Sequence, residues 1–486
     1  MSQMFKTVPV QPAHTGHMDT TTAPATGALR QLSDLPGPSG LPLLGNLLQL
    51  RPAQIHGVIE AWAGKYGKLF HIRLAGTPIL VVADTALVQA ILRERPNGYK
   101  RPDITAQISA EVGGQPGLFL AEGAAWRRQR TMVMQAFAPA AIRAYFPLLA
   151  TVGQRLQKRW LAAAQANQPI ALNADLKRYS VDIIAGLAFG EEVNTIEHGD
   201  DAIQQQIETI MTGVGRRSFT PFPYWRYIRL PADRKLERAV AEVRESVRGF
   251  IARARQRIGT APDQPPQNML EAMLMASDKE GSGITHNDVI GNVTTMLLAG
   301  EDTTSSALSW LIWLLSHNQE ALRKVSAEVR EKSPHAHRFT IEQMDSLDYL
   351  DACAQEAMRL KPPAPFIPLQ ANKPATIGDV HVPQDTHVFC VLRHDSVSEQ
   401  HLHNARQFNP ERWLQQSAAK QVAMPFGSGP RLCPGRYLSL LEIKVAIASL
   451  LSVMDIVSVD GAAKEQLGFV MAPSPLQLRV RLKTPH

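Results

Sequence analysis

The chain is short of cysteine, with only Cys353, Cys390 and Cys433 among 486 residues. An odd number at such wide spacing argues against a disulfide framework and against a four-cysteine zinc or iron–sulfur site. The lack of any Cys-x-x-Cys-His run argues against covalently attached haem. A reducing cytoplasm suits three unpaired thiols. Long apolar runs free of charge are missing too. The longest apolar stretch, Val289 to Leu315, carries Glu301 and Asp302 at its middle, where a bilayer would penalise them. It reads as a long buried helix and not as a membrane anchor. The first 34 residues, rich in Thr, Ala, Pro and Gln, lack the apolar segment of a signal peptide, and Asp19 and Asp34 sit badly with a transit peptide. Residues 1–34 are therefore expected to be a disordered tail. Basic residues are dispersed through a chain of net charge +7, with no Lys/Arg-rich run interleaved with aromatics, so no nucleic-acid partner is expected. Neither a repeat nor a shift in composition divides the remainder, and residues 35–486 are expected to form one domain.

What is present is mostly helical periodicity. Lys235 to Arg257 carries Leu236, Val240, Val243, Val247 and Ile251 at helical spacing, and Asp348 to Leu360 is similar. Thr285 and Asp288 form a capping pair ahead of the long apolar stretch. Alternation in Phe70, Ile72, Leu74 and again in Ile79, Val81 predicts a hairpin turning at Ala75-Gly76-Thr77, and Leu476 to Lys483 alternates as a half-buried strand. The expected class is mainly α with a minor β subdomain.

The most informative segment is Phe426-Gly427-Ser428-Gly429-Pro430-Arg431-Leu432-Cys433-Pro434-Gly435. A cysteine becomes a ligand only as its thiolate, which a helix N-terminus stabilises through unpaired amides and the positive dipole end. Pro434 suits the first position of a helix, and the apolar run after Arg436 supplies that helix, so Cys433 is expected at its N-terminus. Phe426, Gly427, Gly429, Arg431, Cys433 and Gly435 match the haem-binding signature of the cytochrome P450 family, which the chain resembles from about residue 35 to its end. A second segment, Ala299-Gly300-Glu301-Asp302-Thr303-Thr304, places a glycine and two β-branched residues in mid-helix, a local conflict of the kind found at functional sites. It resembles the family's oxygen-activating motif.

That resemblance implies the cytochrome P450 fold, with haem b held between the long helix and the helix after the cysteine loop. Cys433 is implied as the iron ligand, with Phe426, Gly427, Arg431 and Gly435 cradling the haem. Trp126 and Arg130, an i,i+4 pair, match the positions that bond a propionate, while Gln370 stands where many relatives place a further arginine. Asp302 is implied as the acid of a proton relay and Thr303 as the hydroxyl beside the bound oxygen. Glu356, Arg359 and Arg412 match a buried charge triad of structural role. Leu298, Ala299, Phe366, Ile367 and Val470 fall in substrate-lining segments, largely apolar, which favours a lipophilic substrate. The implied activity is O2-dependent monooxygenation by a monomeric cytoplasmic enzyme. Electrons are expected from a separate ferredoxin, flavodoxin or reductase, greeted by Arg127, Arg128 and Arg436. Two rivals stay open: a haem-thiolate peroxygenase or isomerase, which would have less need of Asp302 and Thr303, and a non-catalytic haem sensor.

Overall fold

The computed structural model describes residues 29–199, 202–218, 220, 222–261, 264–333, 339–415 and 418–483. Helices dominate, and those that build the site are α1 (Ile55–Tyr66), α2 (Gly123–Ala136), α3 (Pro139–Gln165), α4 (Leu172–Phe189), α5 (Ala202–Ser218), α6 (Pro231–Thr260), α7 (His286–Ser316), α8 (Asp348–Leu360) and α9 (Arg436–Leu451). The long apolar stretch is α7, opened by the expected capping box: Asp288 N–H donates to Thr285 Oγ1 at 3.1 Å, and Thr285 N–H to the Asp288 carboxylate at 2.8 Å. Leu308, Leu311 and Ile312 of α7 are fully buried, as are Leu441, Val445 and Ile447 of α9, in one continuous apolar core. Gly300 lets α7 lie close on α4, because a Cβ there would stand 2.4 Å from Ile184 Cδ1.

The minor β part follows the alternation. β1 (Leu69–Leu74) and β2 (Thr77–Val82) pair as a hairpin whose turn residues Ala75 and Gly76 have φ of 47° and 83°, the double left-handed turn that matches strand twist. With β3 (Tyr99–Lys100), β4 (Phe366–Ala371) and β5 (His387–Val391) they form a sheet of order β1-β2-β5-β4-β3, in which only the β2–β5 pairing is parallel. Downstream lie β6 (Met454–Asp460), the short hairpin β7 (Glu465–Leu467) and β8 (Met471–Pro473), and β9 (Gln477–Leu482), which pairs with β6.

The tail expectation needs one correction. Residues 1–28 lie outside the described residues, but 29–34 are docked: Arg30 forks onto the Asp379 carboxylate with two bonds of 2.7 Å, and its carbonyl accepts from His381 N–H at 2.9 Å. A bidentate ion pair with backbone bonds beside it holds a segment whose composition alone reads as loose. Among the described residues, no single helix is long and apolar enough to cross a membrane.

Candidate active site at the cysteine loop

The loop around Cys433 is closed by its own backbone: Cys433 N–H donates to Phe426 O at 3.0 Å and Gly427 N–H to Met424 O at 3.0 Å. Gly427 and Gly429 have φ of 76° and 71°, and a Cβ on Gly429 would lie 2.5 Å from Leu92 O, so the second glycine is needed for close approach as well as for conformation. Helix α9 begins at Arg436 with Gly435 as its N-cap. Pro434 is thus not the first helical residue, because the bond to Phe426 O keeps the chain in the loop through Cys433. The dipole argument survives in a changed form. The Gly435 N–H, at the cap itself, points at Cys433 Sγ.

Cys433 is exposed although protein atoms surround it densely, so its thiol opens on an interior recess. Burial pushes the thiol pKa up, against the Gly435 N–H and the Arg130 charge, which pull it down. A thiol so placed ionises fully only with a cation to bind, as metal ligation supplies.

Beside the recess four guanidiniums gather, and three of them, Arg95, Arg101 and Arg431, share the Glu122 carboxylate. Arg431 bonds Ala121 O at 2.6 Å and the Glu122 carboxylate, stacks 4.8 Å over Trp126, and leaves its Nε unpartnered. Arg101 bonds Phe119 O at 2.8 Å, and Arg95 is buried with Nε and Nη2 unpartnered. Burial lowers all four, Arg95, Arg101, Arg130 and Arg431. Arg431 is pulled down to about 10 by burial and by Arg95 and Arg130, despite Glu122. Clustered, desolvated cations with free N–H groups call for a dianion. The thiol, the glycine-lined loop and this cluster together fit a haem with its two propionates. Of the residues expected from the sequence, Arg431 stacks on Trp126 and lies near Arg130. Arg95, Arg101 and Glu122 were missed, since they come from separate segments and no local pattern joins them. Gln370 contributes nothing here: its amide is taken by Asp103 and Asp385 at 3.2 Å each, and its oxygen accepts from Asp103 N–H at 3.0 Å.

On α7, Ala299 is exposed and Leu298 and Thr303 are half-buried, an opening in an otherwise buried helix. Thr303 Oγ1 donates to Ala299 O at 2.8 Å, the back-bond expected of a mid-helix threonine. Asp302 turns away toward α4, where Lys177 Nζ lies 3.5 Å from it and 3.6 Å from Glu208 of α5. Its neighbour Glu301 is buried with one oxygen unpartnered, and burial, then Asp302, raises it to about 8. Three residues on from Glu301, Thr304 faces Glu442 of α9, a buried acid that desolvation raises to about 8 against the pull of the Thr304 hydroxyl.

Glu356, Arg359 and Arg412 come together as expected. Glu356 and Arg359 are buried, and the carboxylate accepts from Arg359 twice at 2.7 Å and from Arg412 Nε at 3.0 Å. Two donors complete it: Trp413 Nε1 at 2.8 Å and Asn409 N–H at 3.0 Å. Arg359 also bonds the carbonyls of Ser396 and Ala405. Full satisfaction is what makes a buried ion group tolerable.

The substrate-lining residues are placed less uniformly. Phe366 stacks on Phe389 at 5.6 Å in the core beside α1, while Ile367 packs in the cluster on the other side of the sheet, so strand alternation cannot turn both to one chamber. In that turn the accessible residue is Ala364. Val470 is buried, and its neighbour Phe469 is the exposed one, packed 5.9 Å from Phe119.

Comparison with known proteins agrees with this geometry. The family model described as Cytochrome P450 matches residues 35–480. A self-sufficient cytochrome P450 monooxygenase of Aspergillus niger is 27% identical over 93% of this chain and 43% of its own length. A bifunctional cytochrome P450/NADPH–P450 reductase of Gibberella moniliformis is likewise 27% identical, over 93% of this chain and 41% of its own. The chain thus spans less than half the length of these relatives. The mitochondrial 1,25-dihydroxyvitamin D(3) 24-hydroxylase of Rattus norvegicus is 25% identical, over 94% of this chain and 90% of its own. Among solved structures, a cytochrome P450DA haem domain superposes with a TM-score of 0.83, covering 95% of this chain and 99% of that one at 23% identity, which speaks to the fold.

Proposed function

Because the chain belongs to the cytochrome P450 family, we propose that it is a haem-thiolate monooxygenase that inserts one oxygen atom of O2 into a lipophilic substrate. Its cofactor on this reading is haem b. The observation that carries the reading is the accessible Cys433 thiol facing Gly435 N–H, next to four arginines of which three share the Glu122 carboxylate.

Cys433 would ligate the iron, and Arg95, Arg101, Arg130 and Arg431, with Trp126, would hold the propionates. The bound haem supplies the redox chemistry that activates O2. The chain supplies position and protons. Thr303, its proton donated to Ala299 O, keeps oxygen lone pairs free to accept from a water in the recess. Asp302 holds a proton-exchanging carboxyl one residue away, and Lys177 must release it before it can turn inward. On this reading the accessible apolar residues Leu298, Ala299, Ala364, Phe119 and Phe469, the last two packed on each other, favour a lipophilic substrate.

Electrons on this reading come from a separate acidic flavin or iron–sulfur protein. The support is a basic surface near the loop: Arg127, Arg128 and Arg436 are all exposed. Three free cysteines suit a cytoplasmic monomer. Replacing Cys433 by serine tests the assignment. The strongly red-shifted absorption of the reduced carbon monoxide complex should disappear, and a variant that keeps that band refutes the ligand.

A further inference from the structure

The β7–β8 hairpin is too short to hold its own place. Each strand has three residues, and a two-stranded ribbon of that length is marginal without outside support. Its two legs are anchored differently. The β8 leg is tied to α7 and the turn after α8: Met471 O accepts from Ser306 Oγ at 2.7 Å and Trp310 Nε1 at 3.3 Å, and Met471 N–H donates to Pro363 O at 2.8 Å. The β7 leg packs Leu467 on the apolar cluster beneath α1, and its start is held by one carboxylate. Glu465 accepts from Arg393 at 2.7 and 3.0 Å, from Lys361 Nζ at 2.6 Å and pairs with His56 Nε2 at 2.8 Å.

Those partners belong to the rigid frame. Arg393, buried just after β5, also forks onto Glu60 of α1 at 2.9 and 2.8 Å. Lys361 follows α8 and lies 4.8 Å over the Trp310 ring. A cavity of about 500 Å³, lined by Glu60, Trp313, Lys361, Arg393, Phe408 and Glu465 among others, borders the network. On that side, charge contacts hold the start of β7 at the cavity edge, while Leu467 at its end packs on the cluster beneath α1. At the other end the tip reaches the site: Phe469 packs against Phe119, whose ring lies 3.4 Å from the Arg101 guanidinium, and Ser306 follows Thr303 by one turn of α7.

We propose that Glu465 is a positioning residue that sets how far the Phe469–Val470 tip closes over the chamber, and so the length of lipophilic substrate the chamber accepts. This deepens the monooxygenase reading and rests on it. Loss of the Glu465 contacts leaves Leu467 and the β8 anchor to hold the hairpin, so the tip shifts about them while the frame stays paired through Arg393 and Glu60. Small displacements of this kind act strongly where a substrate must be aligned.

The test needs no turnover. Ferric holoenzyme of the wild type, Glu465→Gln and Glu465→Asp is titrated optically with imidazole, 1-hexylimidazole and 1-dodecylimidazole, and amide exchange is followed in the peptide spanning residues 465–473. The expected result is unchanged imidazole affinity, an affinity for the dodecyl ligand altered by about tenfold in the Gln variant and partly restored in the charge-keeping Asp variant, with faster exchange of the hairpin amides. Equal shifts for all three ligands, or unchanged exchange and unchanged chain-length preference, would overturn the proposal. Should Glu465→Gln not take up haem, Lys361→Met removes one anchor bond and leaves Arg393 in place. The same chain-length-selective change then supports the proposal, and none overturns it. A holoenzyme that shows the effect but oxygenates nothing with any reductant would refute the monooxygenase reading alone.

Discussion

The residue that best shows how this site is balanced is Arg95, buried with two unpartnered nitrogens beside the guanidiniums of Arg101 and Arg431. Without haem it is a desolvated charge among like charges; on the proposed reading, bound propionates would make it a partner. Arg95→Leu should therefore have opposite effects in the two states. The apoprotein gains on the order of 1 kcal/mol in urea denaturation, while haem transfers to apomyoglobin about tenfold faster. Equal destabilisation of both forms would deny the arginine its place in the cluster. Glu442 offers a second contrast. Desolvation raises it to about 8, against an ordinary value of 4.5, so between those values the native state keeps a proton that the unfolded chain has lost. Stability then falls as pH rises through this window, at up to about 1.4 kcal/mol per unit, and levels off above it. Glu442→Gln cannot titrate, so its unfolding midpoint should gain on the wild type from pH 5 to pH 8. A constant gap between the two would mean that the acid is ionised in the fold. Glu301, also raised to about 8, adds to the same slope and survives in that variant.

At the scale of elements, the contact that decides the site is α7 on α4. Gly300 sits where the two approach, and a Cβ would press on Ile184 Cδ1 and Cγ1, both at 2.4 Å. Gly300→Ala should destabilise by about 1–3 kcal/mol as an overpacked contact. Combined with Ile184→Ala it should recover most of that loss, and a strictly additive double mutant would show that the contact is not the cause. Much at this scale was legible beforehand. Capping by Thr285 and Asp288, the span Asp348–Leu360 and the β1–β2 turn all follow from local rules, because caps, periodicity and left-handed turns are decided by near neighbours. The start of α9 was not, since a bond from Cys433 N–H to Phe426 O delays the helix to Arg436, and such closure is invisible in spacing. Likewise Phe366 and Ile367 lie in one apolar run, yet a strand must send them to opposite faces.

Across the whole molecule, what sequence could not give was the company kept by distant segments. The arginine cluster draws on residues 95, 101, 130 and 431, and Lys177 meets Asp302 only because α4 packs on α7. The triad was within reach because its spacing has a familial pattern, although Trp413 went unassigned. The exposed surface gives a prediction at this scale. Charge reversal at Arg127 and Arg128 should slow reduction by an acidic electron donor by about tenfold at low ionic strength, with the difference shrinking as salt is raised. Stopped-flow reduction against ionic strength decides it, and a salt-independent defect would point to lost packing instead.

The parallel pairing of β2 with β5 joins Val82 to Cys390, and β1–β2 leaves the ribosome about 300 residues before its sheet partner exists. At roughly 5–20 residues/s, that wait lasts about 15–60 s. Throughout it, the β2 edge, with Leu80, Val81 and Val82 all destined for full burial, is an open apolar template of the kind that recruits other chains. The nascent protein is thus at its most vulnerable to aggregation long before its cysteine loop is made, and yield in a foreign host should depend more on chaperone supply during translation than on haem supply at its end.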